Sequence, residues 1–245
     1  PIFVPPPEGP DSHPTAHLHT QWPGGREVGD PVYDQCLCSA SPMLADPAAM
    51  HELEAARLAE LLAMVGPAVV VTHSAGGPGT FAGVDAAADQ VAALIAIETL
   101  GPPFAKRPEM GLDMNWGLAS APITYDPPVS DPGELQTVVE ERADLGPVAL
   151  TLQREPARRL ANLSRFPIAV VTGEASMFLL FDRHLVAFLE QGGCDVELVR
   201  LADRGVHGNG HAMMLELNHA DVLGVITRWV AGKLGGAGEP QAGTA

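Results

Sequence analysis

Short apolar runs alternate with helical patterns along most of the chain. Four runs have the length and composition of buried strands, namely Ala68–Thr72, Val91–Ile97, Pro167–Thr172 and Val196–Leu201. Apolar residues recur at helical spacing in three other segments: Ala48–Val65, Phe181–Leu189 and Val222–Val230. Strands that alternate with helices predict a parallel, doubly wound sheet with right-handed crossovers. We therefore expect an α/β core over residues 48–232.

Three parts of the chain fall outside this alternation. Residues 1–47 are rich in Pro, His and Gly and are predicted to be irregular, and residues 233–245 are predicted to form a flexible tail. Residues 104–165 separate the second strand from the third and contain short helical patterns after Asp131 and near Pro156–Leu163. We interpret this insertion as a cap over an active site, with a peripheral decoration as the alternative.

Composition narrows the choice of partners. An apolar content of 46% excludes a disordered chain, and a net charge of −16 disfavours nucleic acid and anionic membranes. No apolar run is long enough to span a bilayer. The spacing of Cys36, Cys38 and Cys194 does not match a zinc site, so we expect three reduced thiols and no metal.

The first strand ends in Thr72-His73-Ser74-Ala75-Gly76 and is followed by an Ala-rich helical pattern. A serine on a sharp strand-to-helix turn is typical of a catalytic nucleophile, and small neighbours are needed because the turn strains the backbone. Thr72 replaces the first glycine of the G-x-S-x-G pattern, so the match is partial. The alternative is an ordinary strand–loop–helix junction that happens to contain a serine.

A serine nucleophile needs a histidine base. When a serine on such a turn comes first in the chain, followed by the acid and then the histidine, the histidine lies after the last strand. Two histidines compete there, His207 and His211, within a glycine-rich loop. His211 directly precedes the final helix, whereas His207 is also suited to a structural hydrogen bond. His73, beside the serine, is predicted to point to a different side of the turn and to pack rather than to act in catalysis.

The histidine base needs a carboxylate that keeps it in the right tautomer. Two residues are candidates for this acid, because Glu98 and Glu174 each come just after a different strand. Glu174 follows the strand after the insertion, which is the usual position of the acid where the nucleophile lies on such a strand-to-helix turn, but it also fits a solvated loop residue. Glu98 ends a wholly apolar run, so its carboxylate would be partly buried and would need a cationic or donor partner. An imidazolium would supply that partner.

A family resemblance favours one of these combinations. It is carried by His73-Ser74-Ala75-Gly76, Ala96-Ile97-Glu98, His19-Thr20-Gln21-Trp22-Pro23-Gly24, Gly29-Asp30-Pro31-Val32-Tyr33-Asp34-Gln35 and the stretch from Gly205 to Glu216 that contains His207-Gly208-Asn209-Gly210-His211. On these residues, from about residue 17 to 230, the chain resembles α/β-hydrolase serine esterases of the bacterial esterase 713 type.

The resemblance implies an α/β-hydrolase-type parallel doubly wound sheet with a cap-like insertion. It also implies a serine hydrolase of carboxylic esters that works through an acyl-enzyme, with Ser74, Glu98 and His211 as the triad. The backbone N–H of Ala75 would supply one oxyanion donor, and neither a cofactor nor a metal is implied. Thr72 and Ala75 depart from the pattern of the family or fold, but neither residue removes a backbone N–H.

Strands that precede the nucleophile in such hydrolases are not recognisable here, and they would supply the second oxyanion donor. We therefore expect a small-molecule ester substrate together with a companion N-terminal chain or a homo-oligomeric partner. A non-catalytic or partner-dependent subunit is the alternative from another functional class. An acyltransferase or lyase that uses the same triad is a further alternative.

Overall fold

A computed structural model describes residues 13–39, 44–107 and 112–235. The α-helices of the described residues are α1 Pro31–Cys38, α2 Pro47–Val65, α3 Gly76–Ala86, α4 Asp182–Gln191 and α5 His219–Leu234. The strands are β1 Ala68–His73, β2 Val91–Ile97, β3 Lys106–Arg107, β4 Leu112–Asp113, β5 Tyr125–Asp126, β6 Thr137–Glu140, β7 Leu150–Gln153, β8 Arg159–Leu160, β9 Ile168–Thr172 and β10 Val196–Arg200.

The central sheet has the strand order β1-β2-β9-β10, and all of its pairings are parallel. In the register of the sheet, His73 pairs with Ile97 and Leu94 pairs with Ile168. The predicted parallel α/β architecture is thus confirmed, and each of the four predicted strands lies within one residue of an observed strand. β1 and β10 form the edges of this sheet within the described part of the chain.

Helices cover both faces of the sheet, which is why β2 is wholly apolar and β9 is apolar up to its last residue, Thr172. On one face, α2, α3 and α4 pack in a cluster that contains Leu62, Phe81, Leu94, Ile168 and Phe188. On the other face, α5 packs through Val222, Val225 and Trp229 against Ile95 and Val171. The two clusters separate because successive side chains of a strand point to opposite faces.

The insertion consists of short antiparallel ribbons that pair β3 with β4, β5 with β8, and β6 with β7. The helical prediction near Pro156–Leu163 is therefore wrong, and the pattern after Asp131 forms only a single 3₁₀ turn at Pro132–Glu134. The backbone N–H of Leu160 donates to the carbonyl of Gly192, a distant bond that local periodicity cannot reveal. Described contacts join the insertion to α2 and α4, and its role as a cap stays a prediction.

The prediction of irregular structure for residues 1–47 is wrong at α1. The Asp30 side chain accepts hydrogen bonds from the N–H groups of Val32 and Tyr33, and Pro31 occupies the first helical turn. Both features favour a helix start, and they were readable from the sequence. At the other end α5 continues to Leu234, while the remaining tail prediction, from residue 236 onward, falls outside the described residues.

Candidate active site

Ser74 lies at the turn between β1 and α3 with a backbone φ of 55°. This left-handed conformation is rare for a residue with a side chain and costs about 1–3 kcal/mol, so the surroundings must impose it. The N–H of Ser74 donates to the carbonyl of Ile97, and the carbonyl of Ser74 accepts from Gly77 and Leu100. A Cβ on Gly77 would lie 2.6 Å from Cβ of Thr99, so only glycine permits this close approach.

Thr72, the departure from the G-x-S-x-G pattern, is accommodated without disturbing the turn. Its side chain is buried, and its Oγ1 accepts a hydrogen bond from the hydroxyl of Thr80 at 3.0 Å. A Cβ at position 76 would make only an ordinary contact with Thr72 Oγ1, at 3.5 Å, so Thr72 does not crowd the start of α3.

The structure brings Ser74, His211 and Glu98 together from three distant parts of the chain. Nε2 of His211 lies 2.8 Å from Oγ of Ser74, and Nδ1 of His211 lies 2.7 Å from Oε2 of Glu98. The side chains of His211 and Glu98 are 2% and 0% exposed. The imidazole thus connects a partly exposed hydroxyl to a buried carboxylate.

The buried carboxylate of Glu98 accepts two further hydrogen bonds besides its contact with His211. The N–H of Gly173 donates to Oε1 of Glu98 at 2.8 Å, and the hydroxyl of Ser176 hydrogen-bonds to the same carboxylate. Burial raises the pKa of Glu98 to about 8, and these two hydrogen bonds oppose the rise because they favour the ionised form. Sequence analysis missed Ser176, since its relation to Glu98 is created only when β2 and β9 pair.

His211 is enclosed by two rings. Phe178 stacks on its imidazole with centroids 4.6 Å apart, and the ring centroid of His73 lies 4.5 Å away. Nε2 of His73 lies 2.8 Å from the carbonyl oxygen of His211, which accepts a hydrogen bond from that nitrogen. His73 thus packs against His211 and bonds to its backbone, in line with the packing role predicted for it. Burial lowers the pKa of His211 to about 4 and also lowers the pKa of His73, so both rings favour the neutral form.

The two rejected candidates pair with each other at the rim of the loop. Nδ1 of His207 lies 3.0 Å from Oε1 of Glu174, and the N–H of Gly208 donates to Oε2 of Glu174 at 2.9 Å. The His207 side chain is 62% exposed. These contacts lie at the exposed start of the loop of residues 205–211, whereas the buried contacts to Ser74 and Glu98 belong to His211.

Ala75 occupies the N-cap position of α3, directly after Ser74, with φ −60° and ψ −25°. Backbone N–H groups at a helix start have no partner within the helix and favour negative charge. The role of Ala75 as an oxyanion donor stays a prediction, and a second donor is not identified among the described residues.

No cluster of His, Cys, Asp and Glu in residues 13–39, 44–107 and 112–235 could hold a metal ion. No helix in these ranges is both long and apolar enough to cross a bilayer. Cys36, Cys38 and Cys194 are free thiols, and burial raises the pKa of the Cys194 thiol to about 12.

Comparison with known proteins finds no matching family model. The chain is 36% identical over 219 residues to a protein named "Probable secreted lipase phiG" from Fungal sp. (strain ATCC 74256). The match covers 89% of this chain, but this chain spans only 60% of the length of that relative.

Among solved structures, the chain is similar to one described as "The Atomic Resolution Structure of a Novel Bacterial Esterase". That likeness has a TM-score of 0.44 and 18% sequence identity, and it covers 73% of this chain and 42% of the other.

Proposed function

We propose that the chain is the catalytic part of an α/β-hydrolase that cleaves carboxylic esters with a Ser74–His211–Glu98 triad. The observation that carries the proposal is the continuous path from Ser74 Oγ through the imidazole to a buried carboxylate, with links of 2.8 and 2.7 Å. Ser74 has a strained backbone and follows the carboxyl end of β1. Active sites of parallel α/β sheets lie at this edge of the sheet, and a strained turn there exposes the serine hydroxyl. The name of the fungal relative, a lipase, supports an ester as substrate.

In this mechanism Ser74 Oγ attacks the acyl carbon while Nε2 of His211 takes the hydroxyl proton. The neutral imidazole can accept that proton when its own proton lies on Nδ1 and is directed at Glu98. The N–H of Ala75 stabilises the oxyanion of the tetrahedral intermediate. When the intermediate collapses, the ester C–O bond breaks and Nε2 returns the proton to the leaving alcohol. Water, activated by His211, then hydrolyses the acyl-enzyme and regenerates Ser74 Oγ–H.

A fluorophosphonate probe tests this mechanism directly, because it phosphonylates only an activated serine. We expect stoichiometric labelling of Ser74, located by peptide mass spectrometry, and none in Ser74→Ala. A folded, complete assembly that is not labelled would contradict the esterase proposal and favour the non-catalytic subunit. Product analysis with water and with added alcohols separates hydrolysis from acyl transfer.

We also propose that a companion segment, upstream of this core, supplies the second oxyanion donor and pairs with the edge of β1, which has no further strand beside it among the described residues. Val71 on β1 is 55% exposed, and Met64 and Val65 at the end of α2 are 84% and 61% exposed. Parallel strands are normally covered, and an open apolar edge invites a further strand. The fungal relative is longer than this chain by enough to contain such a segment.

The native mass of the protein purified from its source tests the companion segment. We expect additional polypeptide beyond the 25.6 kDa of this chain. A fully active 25.6 kDa monomer would contradict the proposal, and an active dimer of this chain would assign the β1 edge to a second copy instead.

A further inference from the structure

A second buried imidazole–carboxylate pair lies behind the loop that carries His211, and the proposed reaction does not use it. Nε2 of His19 lies 2.6 Å from Oε1 of Glu216, and the two side chains are 2% and 0% exposed. The residues are 197 positions apart. Both belong to stretches that stood out in the sequence, yet neither is assigned a role by the triad.

Glu216 binds the residues immediately before His211. Its carboxylate accepts the backbone N–H of Gly210 at 2.9 Å and the side-chain N–H of Asn209 at 2.8 Å. With the N–H of His19, three donors converge on one buried carboxylate. Hydrogen bonds to a charged acceptor are the strong ones in a protein interior, so this carboxylate sets the position of the peptide that leads into His211.

His19 also forms the wall against which this peptide packs. A Cβ on Gly210 would lie 2.5 Å from Cε1 of His19, so the ring fills the space that any larger residue would need. The neighbouring N–H groups of Thr20 and Gln21 both donate to the carbonyl of Gly208, at 3.1 and 3.2 Å. The segment from His19 to Gln21 is thereby joined to the loop by side-chain and backbone bonds.

We propose that His19 and Glu216 are positioning residues that hold the Gly210–His211 peptide so that the imidazole reaches both Ser74 and Glu98. The kinetic part of this inference rests on the proposed hydrolase function. A base must be placed within a few tenths of an ångström to transfer a proton efficiently, and a displacement of 1 Å costs about a hundredfold in rate. Loss of the pair therefore lowers kcat, while the substrate site is left in place.

The test compares two replacements of His19. His19→Phe keeps a ring against Gly210 but removes the donor to Glu216, and we expect kcat to fall about tenfold to a hundredfold with KM changed less than about twofold. His19→Gln restores a side-chain N–H near the position of Nε2, and we expect kcat within about threefold of the wild type. The matched control is His207→Phe, which breaks the exposed His–Glu pair of the same loop and should leave kcat nearly unchanged.

A double-mutant cycle checks that His19 acts through Glu216. In a Glu216→Gln background, the further change of His19 to Phe should cost much less than in the wild type, since the shared hydrogen bond is already weakened. Additive losses would overturn the proposed coupling, as would equal losses in His19→Phe and His207→Phe.

Amide hydrogen exchange gives a readout that needs no activity. We expect faster exchange for peptides covering residues 208–217 in His19→Phe and near wild-type protection in His19→Gln, with the rest of the core unaffected. Unchanged exchange in His19→Phe would overturn the positioning role whatever the activity. Failure of wild-type Ser74 to label with a fluorophosphonate would instead overturn the proposed hydrolase, and the exchange result would still decide whether the pair holds the loop.

Discussion

The imidazole of His211 lies face to face with the ring of Phe178, with their planes only 5° apart. The ring of His73 lies close to the same imidazole at 36° to its plane. Aromatic contacts restrict rotation of the imidazole about its long axis, which would move Nε2 away from Ser74. The flat face of Phe178 is also placed to stabilise the imidazolium that forms during the reaction.

We expect Phe178→Leu to lower kcat about threefold to tenfold with little change in KM, because an aromatic contact of this kind contributes about 0.5–1.5 kcal/mol. Steady-state kinetics on a soluble ester measures the change. Phe181→Leu is the control, since Phe181 contacts Phe178 but is not one of the two rings packed on His211. Equal losses in the two variants would show that Phe178 acts only through general packing.

If Glu98 is the acid, Glu98→Gln should cause a large loss of activity and Glu174→Gln should cause almost none. Glu98→Gln should lower kcat by about 10³–10⁴, since an amide no longer favours the imidazole tautomer that leaves Nε2 free. Glu174→Gln should change kcat less than about threefold, because Glu174 pairs with His207 at the rim. Matched far-ultraviolet circular dichroism spectra would exclude misfolding, and a large loss confined to Glu174→Gln would transfer the role of acid to Glu174.

The Glu98–His211 pair predicts that activity rises with pH. The form that acts as a base has Glu98 ionised and His211 neutral, and the pair titrates as a unit. Because burial raises the pKa of Glu98 to about 8 and lowers the pKa of His211 to about 4, the pair as a whole holds one proton more than the active form between these values. Loss of that proton produces the active form, so kcat/KM should increase as pH rises through about 8.

A pH profile of kcat/KM from 5 to 9 measures this rise, and Glu98→Gln provides the control. The residual activity of Glu98→Gln should lack the rise near pH 8, because its amide does not ionise. A wild-type profile that stays flat between pH 6 and 9 would contradict the assignment.

Two glycines predict opposite effects on stability. Gly210→Ala should lower the free energy of unfolding by about 1–3 kcal/mol, because its Cβ would meet the buried ring of His19 at 2.5 Å. Gly232→Ala should raise it by about 0.5–1 kcal/mol, since position 232 is in α5 and a Cβ there meets open space. Urea unfolding followed by circular dichroism measures both, and a stable Gly210→Ala variant would mean that His19 can move aside at little cost.

The strands of the sheet were predictable to within one residue and helices α2 and α4 to within two, whereas α5 extends three residues before and four residues beyond the predicted Val222–Val230. Their signals are local, since β-branched runs such as Val91–Ile97 favour strands and are interrupted by Gly and Pro. The insertion was predicted less well, because Arg159–Leu160 becomes a strand through pairing with Tyr125–Asp126. The helix at Pro31–Cys38 was missed despite a capping aspartate at position 30 and a proline at its start.

The sequence by itself determined where Ser74, Glu98 and His211 stand, because each ends or follows a parallel strand and such strands end at one edge of a sheet. Only the tertiary structure decided which acid meets His211, that His73 and Phe178 enclose it, and that Ser176, His19 and Glu216 support it. These contacts join residues with no regular spacing in the chain. They depend on directional hydrogen bonds and close packing in a water-free interior, which form only after distant segments have come together.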